Sequence, residues 1–357
     1  MNHLELFSGI GGFRQAMNLL THDGVMDFHS IGYSEIDPKA VQTYRANYHP
    51  ADNELVMGDI VEFTGNPIAM NNLPQIDLLS GGFPCQTFSV MGDEAGFEGD
   101  DRGQMFFRIM DIVNHNHPRY LLLENVKNLS THDRGRTIVR IEKELKQAGY
   151  IVHRDIFNTS AFGLPQTRNR TIIFARQAED GDFEFSFNAV SNCFAGIDRN
   201  HCSLFFYDST IEILAPEVDP KYYLSARIKP TILSDGSAGF LSISEIDKPI
   251  ARTLTATMHK MHRACQDNYF SDIYIHSHGQ ERPSTWMTKQ ELAQIPIRKL
   301  TPQEAFMLQG FPAIFATNAQ LAGVSDGALY KQAGNAVSVN TIYAVLYYLI
   351  TNQIIRE

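Results

Sequence analysis

At 357 residues, 43% of them hydrophobic and 20% charged, the chain can bury one large core or two smaller ones. No apolar run approaches the ~18 residues of a membrane span, and the start carries no basic, signal-like stretch. A net charge of −10 argues against nucleic acid gripped over the whole surface but leaves room for a local basic cleft. Cys85, Cys193, Cys202 and Cys265 form no C-x-x-C pair, and Cys193, His201 and Cys202 do not make a metal set. Neither a zinc ribbon, a metal centre nor a disulfide framework is expected, and a reducing cytoplasm is the expected compartment.

The first 178 residues alternate apolar runs with amphipathic stretches. The runs cover 4–7, 28–34, 55–57, 76–79, 120–123, 150–157 and 171–175; helical spacing fills 13–20, 104–113 and 137–148. That rhythm predicts βαβ units and an α/β fold with a mainly parallel sheet and right-handed crossovers. The first run ends in Phe7-Ser8-Gly9-Ile10-Gly11-Gly12. Strand, glycine turn and helix form the cradle of a dinucleotide or nucleoside. Arg14 stands where the strict phosphate fingerprint needs a third glycine, which disfavours NAD. The second run leads into Glu35-Ile36-Asp37, and Glu35, nearer the strand end, is the preferred acceptor for two ribose hydroxyls. The third ends in Gly58-Asp59-Ile60, where Asp59 can accept an adenine amine and Ile60 can pack on the ring.

The fourth run ends in Gly81-Gly82-Phe83-Pro84-Cys85-Gln86. A thiol at the carboxyl end of a strand in an open α/β sheet sits where such folds place ligands. A buried structural cysteine is the plainer alternative. The glycine- and acid-rich stretch 91–103 beside it reads as a lid. The fifth run ends in Glu124-Asn125-Val126. A carboxyl at an apolar strand end can keep its proton at neutral pH and donate it; a helix cap or a buried salt bridge are its other uses. Arg168 and Arg170 enter the last run two residues apart, so they should share a face and could hold an anionic or carbonyl group.

These motifs, with Gln309-Gly310-Phe311-Pro312 and Gln332-Ala333-Gly334-Asn335-Ala336-Val337 near the end, resemble in order those of the compact bacterial DNA (cytosine-5) methyltransferases. The resemblance implies a Rossmann-like, S-adenosylmethionine-dependent methyltransferase sheet with a second, smaller target-recognition domain. Residues 1–178, completed by 325–357, would be the catalytic and cofactor-binding domain, 179–297 the target-recognition domain, and 298–324 the hinge region. By resemblance the cofactor pocket uses Phe7, Ser8, Gly9, Gly11, Gly12, Glu35, Ile36, Asp59, Ile60, Pro84, Asn335 and Ala336. Ile36 replaces the large aromatic often found there, which weakens adenine stacking. Cys85 is implied as the nucleophile, with Glu124 protonating N3, Arg170 on the O2 carbonyl, Asn125 positioning the loop and base, and Arg168 orienting Cys85, a phosphate or Glu124.

From about 177 the βα rhythm fades, and 179–297 reads as short strands and turns. Lys248, Arg252, His259, Lys260, His262 and Arg263 make a local basic footprint, and Thr253-Leu254-Thr255-Ala256 resembles the family's Thr-Leu element. Contacts to double-stranded DNA are expected from Gln86, Ser89, Arg102, Arg252, Thr253, Thr255, Lys260 and Arg263. A helix is expected at 301–308, with Pro302 in its first turn, and another at 340–350, packed back beside the cofactor pocket. The resemblance further implies a monomer and a paired restriction endonuclease. Methylation of a transfer RNA cytosine by the same chemistry is the alternative function; a silent nucleic-acid binder and a nucleotide-dependent oxidoreductase are the rivals from other classes.

Overall fold

The computed structural model describes residues 1–84, 105–236 and 242–356. The apolar runs form the strands β1 (Asn2–Leu6), β2 (His29–Tyr33), β3 (Leu55–Val56), β4 (Leu78–Gly82), β5 (Tyr120–Val126), β6 (Tyr150–Asn158) and β7 (Asn169–Gln177). Among the described residues they make one sheet in the order β3-β2-β1-β4-β5-β7-β6. β1 to β5 are parallel; β7 runs antiparallel between β5 and β6. The strand order reverses between β1 and β4, the point at which open α/β sheets hold ligands.

Each central strand is buried on both faces, which is why it reads as an unbroken apolar run. Leu121, Leu123, Ile173 and Ala175 face a core shared with α5 (Met105–Asn116) and α6 (Arg136–Gln147). Tyr120, Leu122, Ile172 and Phe174 face the other, with α1 (Gly12–His22) and the last helix of the chain. Local signals start the connecting helices. Asp37 caps α2 (Pro38–Tyr48), with Pro38 in its first turn. Asp59 caps α3 (Ile60–Thr64) and Asn66 caps α4 (Pro67–Asn71).

The expected second lobe, 179–297, divides between two cores. Phe185, Val190, Phe194, Leu204, Ile213 and Leu214, around α7 (Phe187–Ala195), pack in the large core with α1. A smaller core holds Leu224, Ile232, Leu233, Ile246, Ala264, Tyr269, Leu292 and Ile297. The expected run of short strands is corrected there. Among the described residues the lobe has one two-stranded sheet, β8 (Tyr269–Ser271) against β9 (Ile297–Lys299), and the short helices α8 (Lys229–Leu233), α9 (Asp272–His276) and α10 (Lys289–Leu292). Ser186, Ser271 and Thr288 accept from first-turn backbone N–H groups, and such caps turn short apolar runs helical.

The expected helix near 301 is α11 (Pro302–Met307), opened by a capping box between Thr301 and Glu304. α12 (Ala313–Leu321) and α13 (Asp326–Asn335) follow, and α14 (Val339–Thr351) lies against α1. The stretch 326–351 is apolar enough by composition to cross a membrane, but it breaks between α13 and α14 and 83% of its most apolar window is buried in the protein.

Candidate active site

Five strand ends converge at the carboxyl edge of the sheet. After β1 the chain turns sharply: Phe7 (φ 53°), Gly9 (φ 54°) and Gly11 (φ 82°) are left-handed. A Cβ on Gly11 would lie 2.3 Å from the Tyr48 ring, and one on Gly12 would lie 2.8 Å from the Val337 carbonyl. The glycine loop is thereby pressed against the α13–α14 junction, which brings exposed Asn335 and buried Ala336 to it. Above Gly9 a Cβ would meet nothing within 4 Å.

Glu35 ties this loop to the end of β2. Its Oε2 accepts from Gly9 N at 2.8 Å, and its Oε1 accepts from Ile36 N and Asp37 N at 2.8 Å each. A carboxylate so fixed keeps lone pairs for ribose hydroxyls. Asp59 accepts from Val61 N at 2.8 Å through Oδ1 alone. Ile36 is 72% exposed and offers an apolar face. Ile60 does not: its side chain is buried in the core beneath the sheet, so the expected ring contact from it is corrected. Ser8 Oγ is buried without a hydrogen-bond partner among the described residues. Open space above a left-handed glycine, a fixed acid and an orphaned hydroxyl fit a nucleoside-type cofactor with no phosphate to hold.

The second half of the site is set by strand register. Glu124 pairs with Gly82 on one side and with Ile172 on the other; Arg170, two residues before Ile172, therefore lies on the same face as Glu124. A Cβ on Gly82 would lie 3.3 Å from Glu124 Oε2, so glycine there makes room for the carboxyl. Arg170 Nε lies 2.8 Å from Glu124 Oε1, an ion pair too bent to be a hydrogen bond, and its Nη1 donates to Asn169 O. Burial raises the Glu124 carboxyl above its ordinary range, and the charges of Arg170 and Arg168 only partly oppose this. Asn125 donates to the Phe83 carbonyl at 2.8 Å and accepts from Val126 N, fixing the backbone that leads through Pro84 toward Cys85. Cys85, Gln86, Ser89, Arg102 and the expected lid 91–103 lie outside the described residues.

Arg168, expected to orient Cys85, a phosphate or Glu124, is placed as a clamp. It is 1% exposed and donates to the carbonyls of Leu254 (3.1 Å), Gly334 (3.0 Å) and Ala336 (2.8 Å). Its guanidinium joins the lobe to the catalytic core. Burial, then the neighbouring Arg170, push its pKa down to about 9. Gln166 completes the junction: its Nε2 donates to Leu308 O (2.7 Å), and its Oε1 accepts from Leu254 N (3.0 Å).

The expected DNA contacts of the lobe lie around this clamp. Arg252, Thr253 and Thr255 line a cleft of about 800 Å³ with Lys248 and His262. Arg252 and Arg263 also brace the lobe, donating to Glu245 O and Asp235 O, and Thr253 Oγ1 donates to Thr167 O at 2.6 Å. Lys260 is exposed.

Two further residues escaped sequence reasoning. Gly334 lies inside helix α13, and a Cβ there would fall 2.2 Å from Thr255 C; the Gly-Asn pair resembles a turn and gives no sign of this contact. Glu5 is wholly buried beneath the glycine loop, accepts from Phe13 N, and is pushed up to about 8 by burial. A charged residue at the centre of an apolar run was the available signal.

Known proteins resemble this chain over nearly its whole length. The chain is 34% identical over 353 residues to the Type II methyltransferase M1.ScrFI of Lactococcus lactis subsp. cremoris, covering 96% of this chain and 76% of that one. It is 34% identical over 349 residues to the Type II methyltransferase M.NlaX of Neisseria lactamica, covering 96% and 94%. The fold matches the crystal structure of S. pombe Dnmt2 methyltransferase with a TM-score of 0.72, at 20% identity over 99% of both chains. A family model, C-5 cytosine-specific DNA methylase, matches residues 1–351, and the chain belongs to that family of S-adenosylmethionine-dependent DNA (cytosine-5) methyltransferases.

Proposed function

We propose that this enzyme methylates C5 of one cytosine within a specific double-stranded DNA sequence through a covalent Cys85–C6 adduct. The observation that carries the reading is Glu124: a buried carboxyl with a raised pKa, paired across the sheet with Gly82, which precedes Cys85 by three residues in the sequence. Cytosine C5 is a poor nucleophile, so the ring must first be activated. The Cys85 thiolate adds to C6, and the C5–C6 electron pair is released toward C5. Glu124 donates its proton to N3 as negative charge builds on the ring. Arg170, its Nε beside Glu124 and its Nη1 on Asn169 O, keeps Nη2 for the O2 carbonyl. Asn125, holding the Phe83 carbonyl, fixes the backbone whose carbonyls accept from the cytosine amine.

S-adenosylmethionine supplies an electrophilic methyl group, held by the glycine loop, Glu35, Asp59 and Asn335. Loss of the C5 proton to a base then lets the C6–S bond break and frees Cys85. C5 is out of reach in a stacked duplex, so the nucleotide is flipped into the site. Arg252, Thr253 and Thr255 would touch the duplex in the recognition cleft. The unit that reads sequence is then the smaller core, with 179–215 serving the catalytic lobe. The named Type II relatives support a paired endonuclease.

Bisulfite sequencing of plasmid from a host without cytosine methylation, expressing this protein or its Cys85→Ala variant, tests the reading. Protected cytosines in one short context, lost in the variant, are expected. Full conversion with soluble wild-type protein would refute it.

A further inference from the structure

Two chain segments flank the Glu124–Arg170 pair. Residues 165–168 lead into β7 and join the recognition lobe through a hydrogen-bonded bridge from Gln166 to Ala251. The other leaves β5 at Val126 and passes through two short 3₁₀ turns, Lys127–Ser130 and His132–Gly135, into α6. Ser130 Oγ lies 3.2 Å from Thr171 Oγ1, beside Arg170, so this segment stays at the edge of the site.

Where it enters α6 the surface forms a groove of about 560 Å³ lined by Arg134, Arg136, Val139, Arg140, Lys143 and Glu144. Arg136 pairs with Asp133, and Arg140 lies 3.6 Å from Glu144. Arg134 and Lys143 are exposed and have no ion-pair partner among the described residues. Counting both acids, the groove carries a local charge of about +2 in a chain of net charge −10. Next to it on α6, Lys146 and Arg154 both meet Glu142, so those charges are paired while Arg134 and Lys143 are not.

Ten residues separate Glu124 from Arg134, so even fully extended the chain between them spans no more than ~35 Å. Duplex DNA rises about 3.4 Å per base pair, so the groove lies within about ten base pairs of the target. We propose that it docks the phosphate backbone of the flanking duplex, a second contact surface apart from the recognition lobe; this rests on the duplex-DNA reading above. Arg134 and Lys143 meet phosphates, and the sequence there is not read.

The test is fluorescence anisotropy with the full chain at a series of KCl concentrations. The probe is a duplex carrying the bisulfite-mapped site and about ten base pairs, one helical turn, to either side. In Arg134→Ala/Lys143→Ala the slope of log Kd against log salt should shrink by about 1.8, close to 0.9 per phosphate. Arg119→Ala, beside the amino end of β5 and paired with Asp180, should leave it unchanged. Trimming the duplex to the mapped site alone should make wild type and double variant coincide, since the flanking phosphates are gone. An unchanged slope in the double variant on the long duplex overturns the surface and spares the methylation reading. A wild-type protein that binds and methylates no duplex overturns both.

Discussion

Gly334→Ala sets two effects of known sign against each other. Within a helix interior, alanine is better than glycine by about 0.8–1 kcal/mol. The local geometry opposes it: the new methyl carbon would fall 2.2 Å from Thr255 C, 2.3 Å from Ala256 N and 2.3 Å from Thr255 O. All three are backbone atoms, so no side chain can swing aside. Reaching ordinary contact needs a shift of more than ~1 Å, and overpacking of that kind costs about 1–3 kcal/mol. The carbonyl of Gly334 also accepts from Arg168, so moving α13 loosens the clamp on Leu254 and Ala336 as well. The expected result is a net loss of about 1–2 kcal/mol, a fall of a few degrees in Tm. Because Thr253 and Thr255 lie on the displaced segment, duplex affinity should fall more than cofactor affinity. Thermal melts, with titrations of duplex and of S-adenosylmethionine, measure all three. A variant as stable as wild type with unchanged duplex binding would refute the packing account.

Glu124→Gln removes the proton donor but keeps the shape, so kcat should fall by about 10²–10⁴ while duplex affinity holds; in wild type, activity should decline as pH rises through the raised Glu124 pKa, and a flat profile there would count against the role. Glu5 holds its proton in the folded state up to about pH 8, whereas the unfolded chain releases it near the ordinary glutamate value of 4.5. Between these values the folded state binds more protons, so stability falls as pH rises through that window; Glu5→Gln should flatten the fall in Tm between pH 5 and about 8, and parallel curves would refute it. Arg298 and Glu304 form a fully buried pair at 2.8 Å, with Glu304 also accepting from Ala215 N and Thr301 N. Glu304→Ala should cost about 3–5 kcal/mol by stranding the guanidinium, and Arg298→Met with Glu304→Leu should recover part of that, measured by denaturant unfolding.

Much of the sheet was legible because a strand buried on both faces leaves a continuous apolar run, and each of the seven runs became a strand. The glycine loop, Glu35 and Asp59 were legible because strand ends in such a sheet share one edge. What sequence could not supply was register and distance. Arg168 and Arg170 look equivalent at i and i+2, yet only Arg170 belongs to β7, whose antiparallel pairing with β5 sets it diagonal to Glu124. Arg168 precedes the strand, and its three carbonyl partners are 86, 166 and 168 residues away. Nothing local marks such partners. The same holds for 179–215, whose apolar residues do not say which core they join; packing against α14 and β6 assigns them. The consequence is mechanical. The recognition lobe meets the reacting edge through Arg168 and Gln166, two and four residues before Arg170, so Leu254 is tied directly to the start of the strand that carries the partner of Glu124.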